Sequence, residues 1–196
     1  MSRTCYRFFG CFLTLQENWL NKMAAQGYRL AAAGKLAYQF ESCECGKYQY
    51  RMEYIGEKSR QDAEDYKHFL EDFGYGVFYK NCNLSVSLLK LRWRPWADKG
   101  GRLASNDTTY NRELLIVEKE NDGSAFELHT TNEDRQSYYR KLRKPWLFLF
   151  LAFAAAGTVM QYWVWLAAAL AALVPVTICQ STLEKLKKEG RSREDG

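Results

Sequence analysis

The sequence predicts an α+β cytosolic domain over residues 1–144, followed by a C-terminal two-helix transmembrane hairpin over 145–181 and a charged cytosolic tail over 182–196. Three observations carry that expectation. Thirty-four residues from Trp146 to Cys179 contain no charge, basic clusters stand on both sides of them, and short aromatic-rich strands alternate with amphipathic helices before them. Elsewhere the charge is balanced. Residues 1–139 hold nineteen Lys or Arg against nineteen Asp or Glu, so the net charge of +5 belongs to the membrane boundary and the tail. Nucleic-acid binders usually show a basic face on the folded domain itself, and no nucleic-acid partner is expected. With 26% charged and 47% hydrophobic residues the chain can form a packed core. Six scattered cysteines suit reduced thiols in a cytosolic setting better than a disulfide scaffold.

Residues 3–13 are rich in aromatics and predict a first strand. Arg3, Arg7 and the apolar run from Phe8 to Leu15 faintly resemble a signal peptide, but Gly10 and Thr14 interrupt the run and no small-residue cleavage site follows. A helix is expected from Gln16 to Gln26, with Trp19, Leu20 and Met23 on one face and Gly27 as its left-handed cap. Strands follow at Tyr28–Ala32, Ala37–Glu41 and Tyr48–Ile55. A second helix, Ser59–Phe73, places Tyr66, Phe69, Leu70 and Phe73 inward and ends at Gly74. An aromatic residue stands eight positions before a Gly-Tyr pair in both helices: Trp19 before Gly27-Tyr28, and Tyr66 before Gly74-Tyr75. This echo fits either an internal duplication or common helix grammar. Val77–Lys80, Leu84–Trp93, Leu114–Glu118 and Ala125–His129 are further strands, the last two joined by the turn Asn121-Asp122-Gly123. Thr131 and Asp134 form a capping box for a helix carrying Tyr138, Tyr139 and Leu142, which runs into Pro145 without a flexible linker.

A single helix of thirty-four residues would be roughly 50 Å long, against a hydrocarbon core of about 30 Å. Two crossings fit better, at about 145–158 and 162–181. Arg140, Lys141, Arg143 and Lys144 before the segment, with Lys185, Lys187 and Lys188 after it, place both ends on the cytoplasmic side. The turn is expected over Gly157 to Gln161. Trp146 is expected at the inner interface, and Trp163 and Trp165 at the outer one. Ala152, Ala156, Ala167 and Ala171, spaced by four, are expected to pack the two helices together, and Pro175 to kink the second. No ionisable residue lies within the spans, which disfavours a channel or transporter acting alone.

Glu17-Asn18-Trp19-Leu20-Asn21-Lys22-Met23-Ala24-Ala25-Gln26-Gly27-Tyr28-Arg29-Leu30, then Tyr38-Gln39-Phe40-Glu41 and Tyr48-Gln49-Tyr50-Arg51, resemble the signature of a bacterial family, domain of unknown function 2812. The resemblance is good over residues 5–56, and the chain departs from the usual pattern after residue 80. It implies hydrophobic C-terminal spans, a bacterial inner (cell) membrane location, and a setting beside PadR-type transcriptional regulators, hence membrane-linked signalling. It implies no known activity.

No catalytic constellation emerges. Cys43-Glu44-Cys45 with Cys82 and His68 could be assembled into a zinc site, but lacks the second close pair that structural sites favour, so surface thiols are the expectation. His68 and His129 come with no nucleophile motif or phosphate loop. A non-enzyme without metal or cofactor is expected, with the lipid bilayer and a protein as partners. Trp93-Arg94-Pro95-Trp96 is the most unusual local sequence, and Trp93, Arg94 and Trp96 are its candidate contact surface. An accessory subunit packing through its hairpin into a transporter, and a membrane-tethered enzyme, are the alternatives.

Overall fold

A computed structural model describes residues 2–34, 36–55, 58–80, 92–93, 103–104, 114–124, 126, 128, 132–160 and 162–194. The chain opens with β1 (Ser2–Tyr6), α1 (Leu13–Ala25), β2 (Tyr28–Ala33) and β3 (Ala37–Ser42). β3 pairs antiparallel with both other strands, giving the order β1-β3-β2. α1 starts three residues earlier than its apolar spacing suggested. Gly27 ends it at φ +84°, and a Cβ there would lie 3.0 Å from the Cys43 carbonyl oxygen, so glycine is required twice over.

The pattern then repeats. β4 (Tyr48–Tyr54), α2 (Arg60–Asp72), β5 (Gly76–Lys80) and β8 (Leu114–Glu120) build a second antiparallel sheet in the order β4-β8-β5. Both halves therefore follow one βαββ plan in which the last strand inserts between the first two. The aromatic and Gly-Tyr echo marks equivalent places in it, and the Gly74 φ of +83° matches that of Gly27. Between β5 and β8 in the chain, β6 (Arg92–Trp93) pairs antiparallel with β7 (Leu103–Ala104). Ser59 caps α2 by accepting a hydrogen bond from the Asp62 amide at 3.1 Å.

Two expectations about this half are corrected. No strand runs through the described residues Phe126 and Leu128, because β8 already has β4 and β5 as neighbours and offers no free side. Phe126 instead closes a core of Ile55, Ala63, Leu70, Leu115 and Val117. Among the described side chains of α2 only Ala63 and Leu70 are buried; Phe69 and Phe73 are 41% and 65% exposed, their rings tilted against each other at 4.8 Å.

β3 alternates buried Tyr38 and Phe40 with exposed Gln39 and Glu41, so its sheet has one dry face. β8 is buried from Leu114 to Glu118 and lies between two layers. The outer edge of β4 meets α1 rather than another strand. Asn21 donates to the Tyr50 carbonyl at 2.9 Å and accepts from the Tyr50 amide at 2.8 Å. One turn earlier, Glu17 accepts from the Met52 amide at 3.0 Å and pairs with Arg51 at 2.7 Å. The sheets are tied by Tyr50, whose hydroxyl donates to Glu118 at 2.6 Å and accepts from the Leu30 amide at 2.8 Å. Arg29 from β2 completes the knot with Glu118 at 2.8 Å. Gly76, opposite Glu118 in the ladder, leaves room for it: a Cβ there would sit 3.1 Å from the carboxylate.

After Leu128 come α3 (Asn132–Met160) and α4 (Trp163–Glu194), packed against each other as a hairpin. Both are long and apolar enough to cross a membrane, over Arg135–Val159 and Trp163–Lys188. Their inward side chains on α4, from Trp165 through Ala169, Ala172, Val176, Cys179 and Leu183 to Leu186, alternate steps of four and three residues. That is the spacing of a coiled-coil seam. The expected packing alanines are therefore corrected. Ala152, Ala167 and Ala171 are exposed and Ala156 is half-buried, because the seam's phase is set by the larger residues that continue it through Leu183 and Leu186. Helix α3 also runs on through Gly157 to Met160 instead of turning there. Gly157 is a crossing point: a Cβ on it would meet Leu166 Cδ2 at 2.9 Å.

Replacing Asn21 by Ala strands the amide and carbonyl of Tyr50, and is expected to cost about 1–3 kcal/mol in chemical unfolding. At Gly157 the expectation splits by size. Ala gains about 1 kcal/mol of helix propensity that offsets displacing the half-exposed Leu166, leaving thermal stability in detergent nearly unchanged. Ile overpacks the crossing and costs about 1–3 kcal/mol in the same measurement.

Candidate functional site

Several residues of the family-like signature turn out to be scaffold. Glu17 and Asn21 hold β4, Tyr50 ties the sheets, and Trp19 packs edge-on against Tyr38 at 4.9 Å and Phe40 at 5.5 Å. What they frame is a cleft of about 460 Å³ between β1 and α1. One wall comes from every second residue of the first strand, Arg3 and Cys5, and continues to Arg7, whose amide still donates to the Leu36 carbonyl at 2.9 Å. The other comes from every fourth residue along α1 and its C-terminal cap, Asn18, Lys22 and Gln26. Trp19 and Met23 lie between them, and no acidic residue lines the cleft.

Aromatic faces hold the two arginines. The Arg3 guanidinium lies 5.3 Å from the centre of the Tyr28 ring, and that of Arg7 5.3 Å from the Trp19 ring. Hydrogen bonding to Tyr28, with a smaller contribution from Cys5, raises the Arg3 pKa above its ordinary value. Elsewhere in the domain cations meet carboxylates: Arg29 with Glu118, Arg51 with Glu17, Lys67 with Glu71 and Lys119 with Asp122. The even charge balance of the sequence concealed this local excess. The signal that could have found it is the Arg-x-Cys-x-Arg alternation facing the Asn18, Lys22, Gln26 stripe.

Of the residues expected to matter, Arg94 and Trp96 lie outside the described residues, and Trp93 is described only as part of the β6 backbone. Cys82 lies outside them as well. Cys43 donates its thiol to the Glu44 carbonyl at 3.3 Å, burial raises its pKa, and Cys45 is exposed. Among the described residues no three His, Cys, Asp or Glu side chains gather as metal ligands, and His68 is exposed on α2. In the hairpin, Arg140 and Lys144 are exposed, while Lys141, Arg143 and Trp146 are half-buried and Arg143 bonds Gln180. Trp163 is 76% exposed at the tip, but Trp165, expected beside it at the interface, turns to Phe153 at 6.0 Å in the seam.

One buried titratable group stands apart. Lys80, at the end of β5, is 6% exposed, donates to the Gly34 carbonyl and lies 4.1 Å from the centre of the Tyr38 ring. Burial lowers its pKa to about 8 from 10.5. The unfolded chain holds that proton to higher pH, so this group adds stability as pH rises from about 8 to about 10.5. Lys80→Met is expected to remove the slope. Over that window the unfolding free energy of the native chain rises relative to the variant's, as read by urea titration at each pH.

No curated protein and no solved structure matches the chain. A family model does match, and it extends well past residue 80, where the signature in the sequence thinned out. Because that model covers residues 13–151, from α1 into the apolar part of α3, the chain belongs to the family described as Protein of unknown function (DUF2812).

Proposed function

We propose that this protein is a binding module of the bacterial cell membrane, its α+β domain on the cytoplasmic side, engaging a protein partner in membrane-linked regulation. The observation that carries the membrane reading is the outer surface of the helix pair. Phe148, Leu151, Val159, Val164, Leu170 and Val174 are all more than half exposed. A core helix of a soluble protein would bury such side chains, yet only 11% and 17% of the most apolar windows of α3 and α4 are buried. Water would penalise that surface at roughly 25 cal/mol per Å², and lipid would not. The basic residues before the first span and after the second favour both ends facing the cytoplasm. A binding role is preferred to catalysis because the signature carboxylate Glu17 is already committed to Arg51 and the Met52 amide.

An accessory subunit of a larger membrane complex is the second reading. The exposed Ala152, Ala167 and Ala171 favour it, since they leave a smooth outer face on which a further helix can pack closely.

Fusions report the topology. Fluorescent protein after Gly196 should fluoresce and alkaline phosphatase there should stay inactive, whereas phosphatase inserted at Tyr162 should be active; an active C-terminal phosphatase rejects the arrangement. Affinity capture in mild detergent then separates the two readings. A partner that follows both the intact chain and one ending at Arg143 supports the docking module. A partner lost on enlarging Ala152, Ala167 and Ala171 to Leu supports the subunit.

A further inference from the structure

We propose that the cleft between β1 and α1 binds a phosphorylated small molecule through Arg3, Arg7 and Lys22. Four observations converge on it. The three cations line one open cleft of about 460 Å³ with no acidic neighbour in its lining. Among the described residues no carboxylate pairs with any of them, in a domain whose other cations include several held by carboxylates. The two guanidiniums already lie against the Tyr28 and Trp19 rings, so less side-chain freedom is lost when an anion arrives. Asn18 and Gln26 add amide donors on the helical wall.

The chemistry selects the ligand class. A phosphoryl group brings about two negative charges and three acceptor oxygens, and so satisfies more of these donors than a carboxylate does. The stripe from Asn18 to Gln26 rises about 12 Å along α1, and Arg3 to Arg7 extends about 13 Å along the strand. Arginines at both ends of this wall and Lys22 on the facing one favour a ligand with two adjacent anionic groups over a single one. A nucleic-acid strand would need a basic track continuing beyond this length. The same anionic chemistry is offered by a soluble phosphorylated metabolite and by a phospholipid headgroup. The site does not depend on the partner-binding reading above.

The test uses the full chain in phosphatidylcholine nanodiscs, titrated calorimetrically with inorganic pyrophosphate. Saturable one-to-one binding is expected, weakened at least tenfold by Arg3→Gln with Lys22→Gln, and also weakened by Arg7→Gln alone. Lys47→Gln with Lys58→Gln removes the same charge from other exposed positions and should leave the affinity within twofold. Arg3, Arg7 and Lys22 are exposed, so unchanged unfolding temperatures will show the variants intact. Absence of saturable binding, or equal weakening in the two double variants, overturns the proposal. Phosphatidic acid in the nanodiscs then separates the sources. If it competes with pyrophosphate in the native chain, and the Arg3/Lys22 variant binds neither, the occupant is a headgroup. An unchanged pyrophosphate affinity assigns the cleft to soluble phosphorylated compounds.

Discussion

The domain depends on how the outer edge of β4 is satisfied. An unpaired strand edge exposes a row of amides and carbonyls that either bind water, recruit another strand, or lose free energy when buried. Here Glu17 and Asn21, one turn apart on α1, take the place of a neighbouring strand by bonding the main chain of Tyr50 and Met52. A helix thereby continues a sheet. The substitution fixes the axial position of α1 to within a hydrogen bond, and with it the place of Trp19 among Tyr38, Phe40 and Phe9. It also fixes which face of α1 turns outward to form a wall of the cleft.

The second constraint is the polar knot of Tyr50, Glu118, Arg29 and the Leu30 amide. Burial and the hydrogen bond to Glu118 raise the Tyr50 pKa, so the phenol keeps its proton and remains a donor. Each member has a partner, which is what makes a buried network tolerable in an interior. Apolar packing alone would let two sheets of similar plan slide or exchange registers. A hydroxyl that must meet one carboxylate and one amide permits a single alignment.

Much of this architecture is legible in the sequence. The helices, five of the strands and both capping glycines follow from spacing, and the uncharged segment announces the helix pair. The echo around Trp19 and Tyr66, which the sequence left open between duplication and common helix grammar, falls at equivalent places in the shared βαββ plan, although strand order needs contacts far apart in the chain. Misplaced features share a cause: each was settled by what was already occupied elsewhere. Phe126 joins the core because β8 has no free side, and Trp165 faces inward because the seam's phase is set further along α4. The roles of Glu17 and Asn21 were equally hidden. Their polar side chains interrupt an apolar face, and only the position of β4 explains why.

The seam of α4 does not stop where the apolar residues stop. It passes through Cys179 to Leu183 and Leu186, among charged neighbours, and Tyr138, Tyr139 and Leu142 are buried on the corresponding part of α3. At 1.5 Å per residue the thirty-two residues of α4 measure about 48 Å, well beyond a hydrocarbon thickness of about 30 Å. On the membrane reading proposed above, the hairpin is a stiff rod with one end in lipid and the other in water. A rod of this kind can tilt or turn about its axis, but its helices cannot shear past each other without opening every layer of the seam. Changes in bilayer thickness would then reach the aqueous end as a change of angle rather than of length.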